Sequence, residues 1–204
     1  MAKRVLHDRF FKQAKDEGYA ARSAYKLKEI QQRFRIISPG DRVLDLGCAP
    51  GSWLQVASEI VGRSGVVVGI DLLPVRAPVG PNVTSMVGDI TTTDPTRLTG
   101  AAGGLFDVAI SDMAPNTSGA AGGADHFRSV RLCEAVLDLL PRVLKPGGGL
   151  AMKVFEGEAL PALAERAKGL FDQFKHFKPK ATRDISREIY LVAAGYRVPT
   201  EAQR

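Results

Sequence analysis

The chain reads as one α/β domain built on a doubly wound, mostly parallel sheet. From Arg42 onwards, short apolar runs alternate with segments of helical apolar spacing, the pattern of strands joined by crossover helices. Within it, residues 45–53, DLGCAPGSW, lead from the apolar run Arg42-Val43-Leu44 into Leu54-Gln55-Val56-Ala57-Ser58-Glu59-Ile60, so they form a tight turn between a strand and a helix. Two later apolar runs end in acids, the first at Asp71 and the second, residues 83–87, at Gly88-Asp89. Sheets of this class bind ligands outside the carboxyl ends of their strands, where these glycines and acids fall.

Taken in order, residues 6–15 and 23–34 have helical character. Ser23 stands where a cap would, and Leu27, Ile30 and Phe34 share one face at three-to-four spacing. Ser38-Pro39-Gly40-Asp41 is a turn that closes this preamble. Strands are predicted near 42–46, 65–70, 83–87, 105–111, 148–155, 174–178 and 187–194, with helices near 52–61, 94–101, 125–143 and 158–172. Residues 1–35 are therefore a basic helical segment, 36–197 the main domain and 198–204 a tail. Residues 117–124, TSGAAGGA, follow a strand tip and read equally as a plain connection or as a mobile rim.

A chain of 204 residues, 45% hydrophobic and 25% charged, can bury a core without disulfides. No apolar segment reaches about 18 residues and no signal-type core follows Met1, so the expectation is a cytoplasmic protein with no membrane contact. Its two cysteines, Cys48 and Cys133, form neither a disulfide framework nor a metal-ligand spacing, and Cys48 reads as a small apolar filler. A monomer is expected, because no long apolar helix face is left over.

The net charge of +6 is unevenly placed. Residues 1–35 hold 10 Lys/Arg against 4 Asp/Glu, residues 36–165 hold 9 against 14, and residues 166–204 hold 9 against 4. A mildly acidic body between two basic ends suits a polyanionic partner, although scattered solvated charge gives the same count. Phe10, Phe11, Tyr19 and Tyr25 interleave with the first basic cluster, which favours nucleic acid. The acids Asp8, Asp16 and Glu17 argue against an organelle transit peptide.

The turn carries Gly47 and Gly51 in a G-x-x-x-G spacing with Pro50 inside it, not the G-x-G-x-x-G of a dinucleotide binder, so it suits a smaller nucleoside such as S-adenosylmethionine. Asp71 then stands where an acid accepts both ribose hydroxyls, and Asp89 where one accepts from an adenine amine. The fourth strand runs into Ser111-Asp112-Met113-Ala114-Pro115-Asn116, which sets Asp112 beside the turn. That loop ends in Asn116 and not in a base-stacking aromatic, which argues against methylation of a base amine. Lys153 lies within the apolar run Gly149-Leu150-Ala151-Met152-Lys153-Val154-Phe155, where an unpaired ammonium would be costly. Glu188 opens a last apolar strand and by itself would pass for a surface acid.

These residues resemble the RrmJ/FtsJ family of ribose 2′-O-methyltransferases. The resemblance rests on Tyr25-Lys26-Leu27, DLGCAPGSW, Asp71-Leu72-Leu73-Pro74, Ser111-Asp112-Met113-Ala114-Pro115-Asn116, Met152-Lys153-Val154-Phe155 and Ser186-Arg187-Glu188, in the family's order and spacing from about Tyr19 to Tyr196. It implies a Rossmann-like S-adenosylmethionine-dependent fold with a seven-stranded sheet of order 3-2-1-4-5-7-6, the last strand antiparallel. It further implies a Lys26, Asp112, Lys153 and Glu188 tetrad, a cofactor site including Gly51, Trp53, Asp71, Asp89 and Asp112, and a uridine of large-subunit ribosomal RNA as substrate. Cys48, Ser52 and a longer glycine-rich insert after Asn116 depart from the family pattern. Two other readings are transfer RNA as substrate and a non-catalytic RNA-binding assembly factor; the intact turn and complete tetrad count against the second. A ribose hydroxyl is a poor nucleophile, so Lys153 is expected to act as base with Lys26 positioning the ribose or phosphate, while Asp112 and Glu188 hold the two lysines.

Overall fold

A computed structural model describes residues 2–115, 124–182 and 186–198, with side chains from Arg9 onwards. Asn116, residues 117–123 of the glycine-rich insert and residues 199–204 of the tail lie outside the described residues. The elements run α1 (Ala2–Asp16), α2 (Ala24–Phe34), β1 (Arg42–Leu46), α3 (Ser52–Val61), β2 (Val66–Asp71), β3 (Val83–Val87), α4 (Pro95–Ala102), β4 (Phe106–Ser111), α5 (Ala124–Val143), β5 (Leu144–Phe155), α6 (Leu160–Leu170), β6 (Phe171–Phe177) and β7 (Glu188–Tyr196).

The seven strands form one sheet in the order β3-β2-β1-β4-β5-β7-β6, as the resemblance implied. The first five are mutually parallel, and β7 enters antiparallel between β5 and β6. The central strands β1, β2 and β4 are buried nearly end to end because helices cover both faces, which is why they read as apolar runs without alternation. On one face α2 and α3 pack through Leu27, Ile30, Trp53, Leu54 and Val56 onto Val43, Val67, Ile110, Ala151 and Tyr190. On the other, α4, α5 and α6 pack through Leu98, Val136, Leu140 and Leu163 onto Leu44, Val68, Leu150, Met152 and Leu191.

Strand parity then places the chemistry. Lys153 shares a face with Ala151, and Tyr190 with Val192, so both project from the α2/α3 face, where they stand opposite each other in the β5–β7 register.

Several boundaries and one cap differ from the sequence expectation, and three of the boundaries have a visible cause. β5 begins at Leu144, straight out of α5, because Leu144 pairs with Phe106 before the ladder shifts register. β6 begins at Phe171 and α6 stops at Leu170. There the Arg197 guanidinium donates to the carbonyls of Lys168, Gly169 and Phe171, and buried Phe171 pairs with Tyr196. Ser23 does not cap α2. It is itself helical, its hydroxyl bonds Ser52 Oγ at 2.8 Å, and its carbonyl accepts from Trp53 Nε1 at 2.9 Å, so it fastens α2 to the start of α3.

Most of the N-terminal aromatics pack against one another. Phe10, Tyr19 and Tyr25 pack on one another around Ala14 and Ala181, and Tyr25 is buried. Lys28 lies over the Tyr19 ring at 4.2 Å, while the Tyr19 hydroxyl donates to Glu59. Of the four, Phe11 alone is widely exposed, at 67%.

Candidate active site

Between β1 and α3 the chain makes its turn on two glycines. Gly47 has φ +79°, and a Cβ there would stand 2.2 Å from Met113 Cγ, so only glycine lets the Met113 loop cross the turn. Its N–H donates to the carbonyl of Ile70 at 2.8 Å, joining the turn to the end of β2. Gly51, φ +117°, opens α3 with no side-chain cap, leaving the helix start to backbone groups. Cys48 packs under Gly69 and is buried, and that burial raises its thiol well above the ordinary range; it is filler, as expected.

A cavity of about 550 Å³ opens at the strand tips, lined by Gly47, Ala49, Ile70, Asp71, Leu72, Leu73, Gly88, Asp89, Ile90, Thr91, Asp112, Met113, Ala114 and Leu132. Asp71 accepts from Ala49 N at 2.9 Å through one oxygen and from Leu73 N at 2.8 Å through the other, so both oxygens keep spare lone pairs at a fixed place. Asp89 accepts from the backbone N–H and the hydroxyl of Thr91 through Oδ1, and these bonds hold its carboxyl below the usual range. Gly51 and Trp53 stand behind this lining. Trp53 is 2% exposed and stacks on Tyr190 with ring centroids 5.8 Å apart.

The two lysines and two acids expected to act together do meet. Lys153 Nζ lies 2.9 Å from Asp112 Oδ1 and donates to the Asp112 carbonyl at 2.6 Å. Lys26 Nζ donates to Glu188 Oε2 at 2.8 Å and lies 3.9 Å from Asp112 Oδ1. Both lysines are 6% exposed. Burial works to raise the Asp112 carboxyl, but Lys153, Lys26 and the Tyr190 hydroxyl outweigh it and leave the group below its ordinary value. The four charges sum to zero, which lets two ammonium groups stay in so closed a place.

Two participants escaped the sequence reading. Tyr190 donates to Asp112 Oδ1 at 2.6 Å and sits over Lys26, 5.8 Å from ring to ammonium. Burial, then the charge of Asp112, raises its hydroxyl well above the usual value, so it remains a donor. The signal for it was its place two residues after Glu188 on the same strand face. Asp45, in β1, is completely buried and neither carboxyl oxygen has a hydrogen-bond partner among the described residues. Burial, then the neighbouring charges of Asp112 and Asp71, pushes its carboxyl well above the ordinary carboxylate value.

The end of β5 is held separately. His126 donates through Nδ1 to the Phe155 carbonyl at 2.8 Å and accepts at Nε2 from Ala159 N at 3.0 Å, while Ser129 Oγ accepts from Phe155 N. The strand that carries Lys153 is thus fixed just beyond it.

The cavity fits a nucleoside with a charged tail. Two acids, Asp71 and Asp89, line it at successive strand tips, a glycine turn leaves room for close approach, and the Asp45 carboxyl beneath the turn has no hydrogen-bond partner among the described residues. Comparison with known proteins agrees. The model of the FtsJ-like methyltransferase family matches residues 19–196. A ribosomal RNA large subunit methyltransferase E of Desulfatibacillum aliphaticivorans is 46% identical over 190 residues, which is 93% of this chain and 91% of that protein. One from Pseudomonas fluorescens is 41% identical over 201 residues, 98% of this chain and 95% of that protein. The crystal structure of a Plasmodium falciparum ribosomal RNA methyltransferase superposes with TM-score 0.75 at 28% identity, covering 87% of this chain and 98% of that one. Fibrillarin of Aeropyrum pernix with natively bound S-adenosyl-L-methionine, at TM-score 0.61 and 19% identity, covers 84% and 73% and shares the fold.

Proposed function

The chain belongs to the FtsJ-like methyltransferase family, and on that premise we propose that it methylates a ribose 2′-hydroxyl, at a uridine, in large-subunit ribosomal RNA. It is an RNA methyltransferase that uses S-adenosylmethionine. The single observation that carries the chemistry is the closed cluster of Lys26, Asp112, Lys153, Glu188 and Tyr190, whose Asp112 also lines the cofactor cavity.

S-adenosylmethionine, when bound, supplies an electrophilic methyl group on a positively charged sulfur. Gly47 leaves room for its close approach, Asp71 takes the ribose hydroxyls, Asp89 the adenine amine, and Gly51 with Trp53 supports the turn from behind. The remaining work is to present a 2′-hydroxyl in line and to receive its proton. Lys153 receives it at Nζ after its ammonium has first released a proton to solvent, and the ammonium formed again is held by Asp112 Oδ1 and the Asp112 carbonyl. Lys26, braced by Glu188, offers its remaining hydrogens to the ribose or the adjoining phosphate. Tyr190 fixes Asp112 so that neither lysine can draw it away.

Residues 36–197 form the methyltransferase domain, and residues 1–35 face the RNA, presenting exposed Arg9, Lys12 and Lys15. The protein works as a monomer in the cytoplasm. Two facts support this: no helix among the described residues is long and apolar enough to cross a membrane, and their exposed large apolar side chains are scattered save for Leu72 and Leu73. The ribosomal partner is supported by the names and high coverage of the bacterial relatives.

Nucleoside mass spectrometry tests the proposal directly. Unmodified large subunits and, in parallel, transfer RNA are incubated with the protein and S-adenosylmethionine. A new 2′-O-methyluridine in the subunit sample alone is the expected result; product in transfer RNA alone would overturn the substrate.

A further inference from the structure

Beside the cofactor cavity, and sharing Ala49 and Leu73 with it as a common wall, lies a second groove of about 560 Å³. It runs between the α1–α2 turn, which supplies Ala20, and the loop after β2, which supplies Pro74, Arg76 and Pro78. This groove is a built feature. The side chain of Gln55, on α3, donates to the carbonyls of Gly18 and Pro78 at 3.1 and 3.0 Å and accepts from Ala20 N at 2.9 Å, so one amide ties the two walls together. Beneath them Gly51 seats the loop on the cofactor turn; a Cβ there would stand 2.9 Å from Val75 Cγ1 and 3.3 Å from Ala77 Cβ.

The lining has an unusual composition for a surface. It is apolar and stiffened by prolines, Leu73 is 65% exposed, and no acid contributes to it. Its one charged group, Arg76, is exposed and makes no hydrogen bond or ion pair with the described residues. Flat apolar walls with a single free guanidinium at the rim match a base plane joined to a phosphate, and the absence of carboxylates in the lining disfavours a cationic ligand. The groove also continues the cavity where the reaction occurs, and its Ala20 wall lies six residues before Lys26 in the chain.

We infer that this groove is a subsite for an unpaired nucleotide flanking the methylated one. Its base packs against Leu73, Pro74 and Pro78, and its phosphate is taken by Arg76. A flanking nucleotide drawn out of a helix and held here would leave the target ribose free to enter the lysine cluster. The inference rests on the RNA 2′-O-methylation proposed above.

The test uses the full-length protein with a large-subunit ribosomal RNA fragment carrying 4-thiouridine, photocrosslinked and mapped by peptide mass spectrometry, together with steady-state kinetics of Arg76→Ala and Arg76→Lys. Crosslinks on the peptide containing residues 73–78 are expected. Arg76→Ala should raise the RNA KM roughly five- to tenfold and lower the salt slope of RNA binding by about one, with kcat within about twofold and cofactor affinity unchanged; Arg76→Lys should recover part of the KM. Absence of crosslinks on that peptide, or an RNA KM unmoved by Arg76→Ala as a protein-binding groove would give, overturns the subsite while methylation stands. If the unaltered protein crosslinks at residues 73–78 yet methylates no RNA, the reaction assigned above is overturned and a nucleotide groove remains.

Discussion

Lys153 and Tyr190 face each other across the β5–β7 ladder, and both direct a proton at the same atom, Asp112 Oδ1, at 2.9 and 2.6 Å. One carboxylate oxygen thus serves an ammonium and a phenol at once, and a second ammonium, that of Lys26, stands 3.9 Å away. The pairing follows from strand register alone: cross-strand neighbours share a face, so a lysine and a tyrosine opposite each other meet whatever lies between their tips.

Lys153→Ala is expected to lower kcat by about 10²- to 10⁴-fold, the range over which a positioned proton acceptor contributes. Calorimetric titration with S-adenosylmethionine should give an affinity close to that of the unaltered protein, because Lys153 does not line the cofactor cavity. Near wild-type turnover in the folded variant would remove Lys153 from the mechanism.

Tyr190→Phe keeps the stack on Trp53 and deletes one bond to Asp112. A hydrogen bond to a charged group contributes about 1.5–3 kcal/mol, so a clear loss in thermal stability is expected. The sign with pH is fixed. A depressed carboxylate stabilises the fold above its unfolded pKa, and that stabilisation is lost as pH falls through the folded value. Without the phenol the depression is smaller, so the acid limb of the rate profile should move to higher pH. An unmoved limb would show that Tyr190 only fills space.

Asp45→Asn separates a neutral carboxyl from a charged one. The folded value of Asp45 is raised, so the unfolded chain ionises first, and the parent loses stability as pH climbs above the usual carboxylate range. That loss amounts to about 1.4 kcal/mol per pH unit until the folded group itself titrates. Urea unfolding at pH 4 and pH 7 should therefore show the variant gaining on the parent at the higher pH. A constant difference between them would mean that Asp45 is ionised in the fold.

Gly47→Ala meets both a positive φ and the Met113 side chain at 2.2 Å. A destabilisation of about 1–3 kcal/mol is expected, with cofactor affinity weakened by on the order of tenfold or more. Differential scanning fluorimetry with and without S-adenosylmethionine reads both.

Much of this was legible in the sequence because burial leaves a compositional trace. Strands covered on both faces are apolar runs, so their places were readable, and a lone Lys153 within one of them had to find a partner. Positions 47, 71, 89 and 112 fell at strand tips for the same reason. What escaped were contacts that composition does not mark. Tyr190 inside an apolar strand looks like filler, and Asp45 passes for part of a turn. The basic and aromatic mixture near the N-terminus favoured a nucleic-acid partner, but it did not show that Phe10, Tyr19 and Tyr25 would pack on one another. Ser23, at a helix start, had a cap as its local option and took a tertiary bond to Ser52 in its place.

The span between Lys26 and Glu188, 162 residues apart in sequence, carries a consequence for biosynthesis. Of the seven strands, the one that supplies Glu188 and Tyr190 is made last, and it must enter between β5 and β6 to complete the sheet. The segment bearing Lys26 is made among the first and stays chemically silent until that insertion, since the ion pair has no other acid to close on at Glu188's position. The cluster therefore closes only once β7 has been translated and seated in the sheet.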